Sequence, residues 1–99
     1  MSHDPLLDKF REVRGLLTTF RDTLKEQKRF TDATAALFGD EDRKFWALQE
    51  AHDRRKHAGV PPELRDALTA VLTSKIERWS RLCELARNGS QVETELTGV

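Results

Sequence analysis

The chain has 99 residues, one cysteine, and 17 basic side chains balanced by 17 acidic ones. That length suits a single domain with a thin core. The balanced charge excludes a global field that would draw the chain to nucleic acid or an anionic membrane, and the lone Cys83 excludes an internal disulfide framework. Tyr is absent, and 37% hydrophobic residues stand against 34% charged ones, a balance that suits helices with one buried stripe each rather than strands.

Asp4-Pro5 opens the first predicted helix, expected at about 5–30, with Asp4 as N-cap and Pro5 where a missing N–H costs nothing. Leu6, Phe10, Val13, Leu17, Phe20 and Leu24 then recur at steps of four and three, a strict heptad stripe of the coiled-coil type that Gln27 continues with a polar group. Leu7 and Leu16 widen the stripe, and Gly15 falls on the opposite face. Arg11, Arg14, Arg21, Lys25 and Lys28 form a basic row at the same spacing, with Asp8, Glu12, Asp22 and Glu26 alongside. Asp8 with Arg11, Asp22 with Lys25 and Glu26 with Arg29 are placed to pair across one turn. The rows read either as two solvated faces or as a basic rail that docks an acidic partner.

The second segment is expected at 33–58, capped by Thr31-Asp32. Gly39-Asp40-Glu41-Asp42 predicts a break or kink near 39, as a C-cap followed by a new N-cap with acidic residues in its first turn. Phe45, Leu48 and either Ala51 or His52 point inward, and Trp46 lies at the edge of that stripe. An exposed Trp on a helix is a candidate binding hot spot. The basic cluster Arg54-Arg55-Lys56 suits the negative end of a helix dipole. His52 and His57 are separated by about 140° on a helical wheel, so they do not share a metal.

The third helix is the clearest, at 62–88, opened by Pro61-Pro62 and closed by Asn88-Gly89. Its inward face is Leu64, Leu68, Val71, Leu72, Ile76, Trp79, Leu82, Cys83 and Ala86. Trp79 reads as a core anchor and Cys83 as a small buried hydrophobe rather than a nucleophile. Residues 89–99 are polar and expected to fray. Together these elements predict an all-α single domain: an antiparallel three-helix bundle, up-down-up, with completion of a larger bundle by dimerisation as the alternative.

Four local patterns carry resemblances. Glu77-Arg78-Trp79-Ser80-Arg81-Leu82-Cys83-Glu84-Leu85-Ala86 resembles the third helix of spectrin-type repeats, which implies a scaffolding role, although Gly89 ends the helix where that family continues. Ala35, Gly39, Phe45 and Leu48 resemble a helix-turn-helix, which implies nucleic-acid contacts from Arg43, Lys44, Arg54, Arg55 and Lys56. Asp40, Glu41 and Asp42 would then start the recognition helix facing phosphates that they repel. Ala51-His52 with its basic sequel resembles a histidine phosphotransfer motif, but Arg55-Lys56 stands where that family has Lys-Gly. Thr97-Gly98-Val99 resembles a PDZ ligand.

No Gly-rich phosphate loop, nucleophile elbow or pair of catalytic carboxylates can be identified, so the expectation is no enzyme, no cofactor, no metal and no small-molecule substrate. No apolar run has the length of a membrane span, and Met1-Ser2-His3-Asp4-Pro5 does not read as a leader, so a cytoplasmic setting without membrane insertion is expected. The leading functional expectation is a protein–protein interaction module: an adaptor, a chaperone-like subunit or an inhibitor. It would bind another protein, or a second copy of itself, through Phe20, Trp46 and the basic residues Arg11, Arg14, Arg21, Lys25 and Lys28. The alternative is a DNA-binding regulator using residues 33–57.

Overall fold

Asp4 caps the first helix as its sequence demands: its carboxylate accepts from the Leu6 N–H at 3.0 Å, and Pro5 takes the first helical position. The computed structural model describes residues 4–56 and 58–96. Within them are three long helices, α1 (Pro5–Glu26), α2 (Asp32–Asp53) and α3 (Pro62–Arg87), then one short turn of helix, α4 (Glu93–Leu96), and no strand. At about 1.5 Å per residue, α3 is roughly 39 Å long, which matches the 44 Å long axis of the molecule. The features expected at His57 and Thr97-Gly98-Val99 lie outside the described residues.

The heptad stripe of α1 is the centre of the core: Leu6, Phe10, Val13, Leu17, Phe20 and Leu24 are all buried. Against it α3 sets Leu68, Leu72, Trp79, Leu82, Cys83 and Ala86, and α2 sets Phe38 and Phe45. The backbones of α1 and α3 approach each other most closely. On the α2 side the space is filled by larger rings: Phe20 meets Trp79 edge-on at 5.1 Å, and Phe38 meets Trp79 at 6.1 Å. Such ring pairs contribute about 0.5–1.5 kcal/mol beyond their buried area.

Contacts at the helix ends fix how the segments lie. Asp4 at the start of α1 pairs with Arg65 in the first turn of α3, and just past α1 the Gln27 Nε2 donates to the Ala86 carbonyl near the end of α3 at 2.8 Å. Phe10 touches Phe45 and His52 late in α2, whereas Phe20 touches Phe38 early in it.

Several boundaries differ from the sequence reading. α1 stops at Glu26, not near 30, because Gln27 and Arg29 turn to α3: Arg29 donates to the carbonyls of Ala86 and Ser90 and to Gln27 Oε1. Lys28 takes the left-handed position (φ 58°), and the N–H groups of Lys28 and Arg29 close back on the Lys25 and Leu24 carbonyls. This is the helix-ending geometry usually given to Gly. Gly89 (φ 75°) ends α3 in the same way, with Gly89 and Ser90 N–H groups on Ala86 and Leu85 carbonyls.

The break expected near Gly39 is absent; α2 runs unbroken through it and ends at Asp53. A single Gly lowers helix propensity by only about 1 kcal/mol, less than the burial of Phe38 and Phe45 on either side contributes. Val71, expected inside, is 41% exposed, since α3 buries a narrower face than its apolar pattern allows. Up to residue 96 the tail is ordered rather than frayed: Val92 and Leu96 are buried, and Arg78 donates to the Glu95 and Leu96 carbonyls at 3.0 Å each.

Candidate partner-binding surface

Trp46 follows Phe45 in α2, so when the Phe45 ring enters the core the indole is carried about 100° around the helix, to the rim of the α1–α2 seam. It is 46% exposed, with its ring edge-on to Phe45 at 5.2 Å. Leu7, Phe10, Arg11 and Arg14 of α1 and Trp46, Gln49 and Asp53 of α2 line a groove of about 340 Å³ there. A second hollow is lined by Trp46, Gln49, Glu50, Asp53 and Arg54. Trp46 is therefore a ridge that borders two open depressions.

The polar groups of the groove divide into held and free. Asp53 is held: its carboxylate lies 3.2 Å from His52 Nδ1 and accepts from Gln49 Nε2 at 3.3 Å. The His52 hydrogen bond, followed by that of Gln49, keeps the Asp53 carboxyl below the usual Asp range despite an opposing desolvation. His52 itself is buried against the Phe10 ring at 5.4 Å. Among the described residues Arg11 has only an exposed i,i+3 pair, with Asp8 at 3.9 Å. Arg14 is exposed and has no ion-pair or hydrogen-bond partner among the described residues.

Of the residues expected to meet a partner, Trp46, Arg11 and Arg14 come together here. Phe20 does not: it is fully buried between Trp79 and Phe38 and presents nothing to a partner. Arg21 Nε donates to Asp22 at 3.3 Å, and Lys25 stands 5.4 Å over the Phe30 ring, so the expected Asp22–Lys25 pair gives way to these contacts. Glu26–Arg29 also fails, since Arg29 turns toward α3. Lys28 lies beyond the helix in the closing turn, off the row.

The helix-turn-helix is not formed, because α2 is continuous where its turn would be. Of its expected contacts, Arg43 pairs with Asp40, Arg54 with Glu50 at 2.7 Å, and Arg55 donates to the Ala51 carbonyl at 3.4 Å; Lys44 and Lys56 are exposed. Cys83 is buried, its thiol donating to the Leu16 carbonyl at 3.3 Å, and desolvation pushes its pKa up.

Sequence reasoning missed Glu41. Taken for a solvated first-turn acid, it is 7% exposed, with Arg78 Nη1 at 3.3 Å from Oε1 and Lys75 Nζ at 3.6 Å from Oε2. Its signal was positional: Glu41 lies three residues after Phe38 and four before Phe45, on their face. Among the described residues, no group of three His, Cys, Asp or Glu side chains is placed to hold a metal, and no helix is long and apolar enough to cross a membrane. No protein-family model matches the chain, and no curated protein or solved structure matches it significantly.

Proposed function

We propose that this chain is a protein–protein interaction module, an up-down-up three-helix bundle that docks a protein partner at the Trp46 groove. One observation carries the reading: a half-exposed indole stands in a groove beside two arginines that the fold leaves nearly unengaged. Trp and Arg are the residues in which interface energy concentrates, particularly where a rigid ring borders a depression that a partner side chain fills. The well-filled core behind it, from Phe10 and Phe45 to Trp79, holds the ridge in place. Adaptor, chaperone-like subunit and inhibitor are all roles such a surface serves, in a cytoplasmic setting that suits a single buried thiol.

The test is capture from native lysate with the tagged chain and with its Trp46→Ala variant, each after nuclease treatment and read by mass spectrometry. The reading expects one stoichiometric protein that survives nuclease and is lost with Trp46→Ala. Recovery of nucleic acid, with proteins lost after nuclease, would overturn it in favour of a nucleic-acid-binding role.

A further inference from the structure

We infer that the partner segment seated in this groove is an acidic amphipathic helix, anchored by one large apolar side chain between Trp46 and Leu7. The inference rests on the Trp46 reading and adds the chemistry of the occupant. Leu7, Arg11, Arg14, Thr18, Arg21 and Lys25 follow one another at four- and three-residue steps, so they share a single helix face. Leu7, Arg11 and Arg14 line the groove itself, and Arg21 and Lys25 continue their row.

From Arg11 to Lys25 the row spans roughly 21 Å, four turns of helix, with no acidic residue on that face. Of the acids that flank the row, Asp42 lies on the Trp46 face of α2, and three others are committed or off to one side. Asp53 accepts from Gln49 and pairs with His52, Asp8 reaches Arg11 only at 3.9 Å, and Asp22 flanks Arg21 from the adjacent face. A cationic row beside a notch that Leu7, Phe10 and Trp46 border complements a ligand with carboxylates on one flank and an anchor at its centre.

The walls argue for a helix rather than a strand. Both are helices of 22 residues, and a third helix packs its ridge into the seam between two others. An extended peptide gains affinity by adding to a sheet edge, and no strand is present among the described residues. The groove volume of about 340 Å³ lies at the small end of the range for ligand sites. It suits one side chain of a larger contact.

The experiment is selection of a phage-displayed library of random 16-residue peptides on the folded chain, followed by titration of selected peptides. The expected winners carry Asp or Glu at i, i+3 or i+4 and i+7 around one Leu, Ile, Phe or Trp. Their affinity should fall about tenfold or more with Arg14→Glu and with Trp46→Ala, and should fall as salt rises. Far-UV circular dichroism checks that each variant is folded, and Arg11→Glu substitutes for any that is not. Winners without acidic excess that still depend on Trp46 would overturn the acidic helix and leave the docking site standing. Winners indifferent to Trp46, or no winners, would overturn both.

Discussion

Arg65 Nη2 lies 2.7 Å from Asp4 Oδ1, so the same carboxylate that caps α1 also anchors the first turn of α3. The Arg65 hydrogen bond is the largest cause holding the Asp4 carboxyl below its usual range; the Leu6 N–H and nearby positive charge add to it, and desolvation opposes it.

A depressed folded-state pKa contributes stability above the unfolded value, and that contribution is lost as pH falls through the folded value. Asp4→Asn keeps a competent N-cap while removing the charge. It is expected to lower the thermal midpoint at neutral pH, with the difference from wild type closing below about pH 4, the ordinary Asp range. A pH series of thermal melts checks it; a gap that persists in acid would mean that the pair adds no pH-dependent stability.

Gly39→Ala is expected to stabilise the chain by up to about 1 kcal/mol, because Ala is the better helix former and loses less backbone entropy. Only the flexible end of Arg43 comes within 4 Å of the added Cβ, at 3.6 Å. Urea denaturation measures the gain, and a loss would reveal a bend at this turn.

The two left-handed helix ends should respond oppositely. Lys28→Gly relieves a side chain held at φ 58° and is expected to stabilise by about 0.5–1 kcal/mol, while Gly89→Ala, forced to φ 75°, should cost about 1 kcal/mol or more. Thermal and urea unfolding of both variants give the signs directly.

Glu41→Gln should cost about 2 kcal/mol or more, since it leaves Lys75 and Arg78 facing a buried site without the charge that holds them. Lys75 and Arg78 retain some exposure, 17% and 32% of their side chains, which keeps the loss below that of a fully buried pair. A double-mutant cycle with Lys75→Met separates the pair from the rest, and a coupling near zero would assign the stability to packing alone.

Trp46 and Trp79 should part company. Trp79→Ala opens the core and is expected to cost about 3–5 kcal/mol, and Phe20→Asp should unfold the chain. Trp46→Ala should leave stability within about 1 kcal/mol of wild type, as for a largely surface position, while removing partner binding. Circular dichroism melts distinguish the two roles, and a large destabilisation by Trp46→Ala would make it a core residue.

The sequence by itself determined what depends on neighbours along the chain. The α1 stripe from Leu6 to Leu24, the Asp4-Pro5 opening, the Gly89 stop and the inward Trp79 all follow from helical spacing and backbone preference. The candidate site was legible in part: Trp46, Arg11 and Arg14 were singled out separately, but their meeting was not, because periodicity assigns a face and not the neighbour that face will meet. Only the tertiary structure decided the rest. It ended α1 at Glu26 because Gln27 and Arg29 reach the α3 carbonyls, carried α2 through Gly39 because core burial outweighs a weak helix former, and left Val71 outside because the covered face of α3 does not extend to it. It buried Glu41 for the same class of reason: Lys75 and Arg78, distant in sequence, arrive across the α2–α3 seam to offset its charge. Local propensities are worth about 1 kcal/mol or less per residue, whereas long-range burial and charge pairing are worth several, so where the two conflicted the tertiary contacts prevailed.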